Sequence, residues 1–155
     1  MKINKKKIYC LLVIFFVMLL GFSVWLSLRT VEIVAVHKRT SGFSDVLVTK
    51  FPFTTRGKIN WWLENKEMLK NKYNIPQSEF SKNFTITFWL FGEGYMEQGK
   101  YDRLCFPEMK TEKNCIEKEK VFTVDYSKNT GLFFTVSDGY YRLKDNGKIE
   151  KTKIY

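Results

Sequence analysis

The sequence is short of the residues that punctuate loops and of those that hold metals. Only three of its 155 residues are proline and nine are glycine, too few for a linker protein or a collagen-like repeat. It has one histidine, His37, and three cysteines, Cys10, Cys105 and Cys115. A structural zinc site takes four such ligands in spaced pairs, so no metal and no cofactor is expected. The motifs that mark a nucleophile elbow, a zinc protease or a phosphate loop are absent. No catalytic residues are therefore predicted, and the chain is not expected to be an enzyme. A second long apolar run is missing as well, which excludes a polytopic membrane protein.

One such run is present. Lys2, Lys5, Lys6 and Lys7 open the chain, and residues 8–28 then carry no charge until Arg29. As a helix the run measures about 31 Å, close to the ~30 Å hydrocarbon core of a bilayer. Tyr9 and Trp25 lie near its two ends, where amphipathic rings favour the interface. The rival reading is a cleaved signal peptide, since Gly21-Phe22-Ser23 places small residues two apart. The apolar stretch continues through Leu26, however, and exceeds the 7–15 residues usual for such a signal. We read residues 1–7 as a cytoplasmic tail, 8–28 as a signal anchor embedded in the lipid bilayer, and 30–155 as one domain. The excess of lysine before the run predicts a single-pass chain with its N-terminus inside and the domain outside.

Topology also accounts for half of the charge. Setting aside the four lysines and Arg29 leaves 21 basic residues against all 16 acidic ones, a net +5 compared with +10 for the whole chain. The remaining bases are mixed with acids, as in Glu117-Lys118-Glu119-Lys120, and form no stripe suited to nucleic acid. Cys10 falls inside the apolar run. Cys105 and Cys115 both fall in the domain, and in an oxidising compartment each has only the other as a partner. Closing so short a loop would stabilise the fold by about 2–3 kcal/mol.

Along the domain, Val31–Val36 and Val46–Phe51 read as strands separated by a turn cluster at Thr40–Asp45. Thr54 or Thr55 offers an N-cap for a helix reaching Tyr73, with Asn74 and Pro76 as the stop. Ile59, Trp62, Leu63, Leu69 and Tyr73 fall within about 120° on that helix, an amphipathic stripe. Phe84–Phe91 alternates as a strand. Further short strands follow at Tyr95–Met96, Tyr101–Phe106, Lys120–Tyr126, Leu132–Ser137, Tyr140–Lys144 and Lys148–Tyr155, with Asp138-Gly139 as a hairpin turn. The fold class is α+β: a transmembrane helix, then a mainly antiparallel β-meander domain with one amphipathic helix.

Candidate chemistry is sparse. His37 has no partner at ligand spacing and reads as structural. The pairs Glu64/Glu67, Glu93/Asp102 and Asp125/Asp138 carry no mark of a catalytic dyad. Trp61 and Met68, seven residues apart, lie off the apolar stripe and are expected to face away from the sheet. Trp and Met are enriched in interface cores, which makes these two the candidate partner-binding residues; the alternative is that the domain's long loops cover this second face and bury them.

The stretches Val31–His37, Ser44–Pro76 and Phe84–Trp89, with the segments Gly92–Tyr95, Gly99–Phe106 and Met109–Lys118, resemble a family of small uncharacterised enterobacterial membrane proteins known only as a domain of unknown function. The resemblance covers nearly the whole chain. It implies an inner-membrane protein with a periplasmic domain and supplies no catalytic residues. Through the secretion and toxin loci near which such genes lie, it further implies an immunity role. The expected function is a tethered protein-binding domain that neutralises a toxin delivered to the periplasm, with no small-molecule ligand. An accessory subunit of an envelope complex is the alternative, and an envelope hydrolase a more distant one.

Overall fold

The structure is a computed structural model that describes residues 5–153; Lys2 of the basic tail and Ile154 and Tyr155 at the end of the last expected strand lie outside them. The chain divides between Thr30 and Val31 into two units.

The first unit is helix α1, Lys5–Ser27, of 23 residues. Its Lys5–Leu26 stretch is long and apolar enough to cross a membrane, and none of it is buried within the protein. Ser23 donates to the Leu19 carbonyl at 2.8 Å, so its hydroxyl is satisfied within the helix. The Arg29 guanidinium lies 5.1 Å from the Trp25 ring centroid, a cation–π contact of the kind found at the end of an apolar span.

The second unit is built on a seven-stranded sheet. Its strands are β1 (Glu32–Lys38), β2 (Phe43–Thr49), β3 (Asn83–Leu90), β6 (Lys120–Ser127), β7 (Gly131–Val136), β8 (Gly139–Leu143) and β9 (Ile149–Thr152), neighbours in that order. All pairs are antiparallel except β2 and β3, which run parallel. Parallel neighbours need a crossover, and helix α2, Thr55–Tyr73, supplies it. Thr54 caps that helix by accepting from the Gly57 amide at 3.0 Å. Asn74, left-handed at φ 52°, ends it by donating its amide to the Leu69 and Lys70 carbonyls. Both ends fall where the capping chemistry of the sequence puts them.

At β2 the sheet is covered on both faces: Ser44 to Val48 are buried without interruption. Helix α2 lies over the first face. Phe88, Phe122 and Phe134 follow one another across β3, β6 and β7, with ring centroids 5.6 and 5.9 Å apart. Ile59, Trp62 and Leu69 of α2 belong to the same core. A bulge between Ile33 and Ala35 rephases β1, so that Ile33 and Val36 both pack on this side while Val34 is exposed.

Residues 91–119, between β3 and β6, form a lobe on the second face. Its two-residue strands β4 (Leu104–Cys105) and β5 (Cys115–Ile116) pair antiparallel. Cys105 stands opposite Cys115 there, with the sulfur atoms 2.09 Å apart. Phe106 and Ile116 of the lobe join Leu47 of the sheet in a second, smaller core.

Candidate functional site

The second sheet face has two halves. Over β1, β2 and the end of β3 the lobe presses a layer of aromatic side chains onto Ala35, Leu47 and Trp89. His37 lies in this half, stacked on Phe106 with centroids 3.7 Å apart and planes at 10°. Its Nδ1 is 2.7 Å from Glu108 Oε1, and its Nε2 is 2.8 Å from the Tyr95 hydroxyl. A carboxylate only accepts, so Nδ1–H donates to Glu108; in the neutral imidazole, Nε2 then accepts the Tyr95 proton. Sequence spacing could not reveal this cluster, because its members lie 58 and 71 residues apart.

The cluster has the outline of a hydroxyl–imidazole–carboxylate relay. Burial, and next to it the Glu108 charge, push the Tyr95 phenol above its ordinary value, so its proton is held more tightly. An activated nucleophile needs the opposite shift. The three groups act as a latch fastening the lobe to β1. Beside them, Trp89 Nε1 donates to Asp45 Oδ1 at 2.7 Å, and Arg39 Nε lies 2.6 Å from Asp45 Oδ2.

Over β3, β6 and β7 the same face is open. The register sets Phe43, Thr85, Asp125 and Phe133 side by side on four successive strands, β2, β3, β6 and β7. Thr87, Thr123, Thr135 and Tyr140 form the next row. Phe43 is half exposed and Tyr140 is exposed, Thr85, Asp125 and Phe133 are partly covered, and Thr123 is buried. The Thr85 hydroxyl donates to Asp125 Oδ1 at 2.7 Å. Burial is the largest influence on this carboxyl and holds it above the usual carboxylate range; the hydroxyls of Thr85 and Thr135 and the charge of Lys120 oppose the shift only in part. A partly desolvated acid in a threonine cradle, flanked by aromatic rings, is chemically suited to receive a hydrogen-bond donor or a cation from a partner.

Trp61 and Met68 require a correction. Neither points away from the sheet. Both are half-buried against the main core, and Trp61 sets its ring edge-on between Phe51 and Phe88, at 5.2 and 5.7 Å. The reason lies in the chain after β2. Phe51 folds back beneath the flank of α2, so the apolar surface facing the helix is wider than the stripe on the helix itself. Asp125 and Asp138, paired on paper, do not share a site: Asp138 sits at the β7–β8 turn, where it accepts from the Tyr141 hydroxyl at 2.6 Å. Among the described residues no three of His, Cys, Asp or Glu come together as metal ligands would. The open face itself went unmarked in the sequence, although the alternation of Thr85 and Thr87 in β3 and the placing of Asp125 in β6 hinted at a polar side of the sheet.

A family model described as "Enterobacterial putative membrane protein (DUF943)" matches residues 2–153. No curated protein and no solved structure matches the chain.

Proposed function

Because the chain belongs to the DUF943 family of enterobacterial putative membrane proteins, we propose that it is a membrane-anchored binding protein that offers the open sheet face around Asp125 to a protein partner. In this reading α1 is an uncleaved anchor with its N-terminus in the cytoplasm, and the domain stands in the periplasm. Cys105 and Cys115 suit that oxidising compartment. The partner we favour is a toxin delivered there, which a tethered protein neutralises by occupying it and without any chemistry of its own.

One observation carries the proposal. Asp125 is kept in a setting that disfavours its charge, on a face whose aromatic rings are left uncovered by the lobe. A group that costs stability and faces outward is a mark of binding surfaces.

A photo-crosslinking amino acid placed at Phe43 or Tyr140 of the full chain in its native membrane tests the surface. A discrete protein adduct is expected at both positions and not at Glu64 on the exposed side of α2. Asp125→Arg should abolish the adduct while leaving the domain folded, as a cooperative thermal melt checks. Identical adducts at all three positions, or adducts indifferent to Asp125→Arg, would sink the reading. A C-terminal alkaline phosphatase fusion tests the orientation separately and should be active.

A further inference from the structure

Among the described residues of the domain, Phe53 is the most exposed large apolar side chain, at 74%. It does not stand out by chance of composition. Lys50 adopts a left-handed conformation, φ 55°, at the end of β2. The turn drives Phe51 into the core at 5% exposure and leaves Phe53, two residues on, projecting from the loop before α2. Lys50 and Arg56 flank it. Both are exposed, and neither is ion-paired with a carboxylate among the described residues. Two acids at this end of the sheet have partners of their own: Glu32 accepts from the Thr49 hydroxyl at 3.3 Å, and Asp138 faces Lys151 at 3.6 Å.

The position of the loop in the chain gives this pattern its meaning. Glu32 pairs with Thr49, so β1 begins at the same end of the sheet as the Lys50–Thr54 turn. Only three residues separate Glu32 from Leu28, the last residue of the uncharged run, a link of about 14 Å at full extension. The chain therefore enters the domain at the end that carries Phe53. An apolar ring between two unpaired cations, at the tethered end of a domain, has the make-up of a bilayer-interface contact.

We propose that Phe53, Lys50 and Arg56 form a second, non-covalent membrane contact: the ring enters the headgroup boundary of an anionic phospholipid surface and the two cations meet its phosphates. Such a contact would fix the attitude of the domain on its tether. It does not depend on which leaflet the domain faces, nor on the partner proposed for the Asp125 face.

The test uses the full chain with Cys10→Ser and the Cys105–Cys115 bridge intact, reconstituted in phosphatidylethanolamine–phosphatidylglycerol liposomes. Phe53→Cys carries an environment-sensitive fluorophore, and Lys82→Cys, at the opposite end of the sheet, carries it as the control. Both sites are exposed, so neither label disturbs the core. The label at position 53 should be quenched by spin-labelled lipid and shielded from aqueous iodide, and the label at 82 should show the reverse. Lipid quenching at 53 should fall by about half or more in phosphatidylcholine liposomes, or with Lys50→Glu and Arg56→Glu together. Equal lipid quenching at 53 and 82 would overturn the proposal, and so would quenching indifferent to both charge changes. Shielding at 53 from iodide without lipid quenching would also overturn it, by revealing a protein contact in place of a lipid one.

Discussion

Replacing Trp61 by alanine decides how α2 is used. Its indole is half-buried and meets Phe51 and Phe88 edge-on. A fully buried tryptophan removes roughly 200 Å² from water, so half burial withdraws about 100 Å². At ~25 cal/mol per Å² that is about 2.5 kcal/mol, an upper estimate because the unfolded chain is itself partly compact. Two edge-to-face contacts add about 1 kcal/mol. Collapse of neighbouring side chains into the open-sided gap returns a similar amount, which leaves a cost of roughly 2–3 kcal/mol, below the ~3–5 of a fully buried ring. For a domain of this size it corresponds to a fall in Tm of about 8–12 °C. The assay is a thermal melt of the full chain in detergent followed by near-ultraviolet circular dichroism, with Trp61→Phe as a control that recovers most of the loss. A Trp61→Ala melt within about 2 °C of wild type would refute the packing argument and return Trp61 to the role of an outward contact.

Asp125→Asn should stabilise the protein at neutral pH, because the folded state holds this carboxyl above its unfolded value and the native chain is favoured below that range and weakened as pH rises through it. Denaturant melts at neutral pH and near pH 3 check the sign: the gain should vanish in acid, where the native carboxyl is already protonated, and an equal gain at both would contradict it. Cys105→Ser with Cys115→Ser should cost about 2–3 kcal/mol yet keep the sheet, because the main core does not include the lobe; loss of all cooperative melting would refute that separation. Gly42→Ala should destabilise by about 2 kcal/mol or more, since the residue sits at φ 81° and a Cβ there would lie 2.6 Å from the Asn83 carbonyl oxygen. An unchanged urea midpoint would show that the β2 turn gives way more easily than its geometry implies.

Local signals were legible wherever the chemistry is local. Thr54 and Asn74 bound α2, Asp138-Gly139 turns β7 into β8, and the two cysteines of the domain stand opposite each other in β4 and β5. What depends on distant register was not. Nothing in Val46–Phe51 or Phe84–Phe91 says that they pair in parallel, because a strand's own residues do not record the direction of its neighbour. Helical periodicity places Trp61 off the apolar stripe, and only the fold of the chain after β2 brings Phe51 against it. The Asp125 face needed three strand pairings to assemble, and the His37 latch needed a lobe folded across the sheet. A sequence carries both only as scattered polar residues.

The sheet also ends, at β1 and at β9, and a protein confined to a membrane plane meets its own copies at high local concentration. Each outer strand therefore presents backbone groups that a neighbouring copy could extend by lateral growth. Both rims are blunted. β1 starts on Glu32, ends on Lys38 and is broken by its bulge; β9 is only four residues long and carries Glu150 and Lys151. An incoming strand would meet charge and a misaligned ladder at either rim. Edge-to-edge growth of the sheet is thereby disfavoured at both rims.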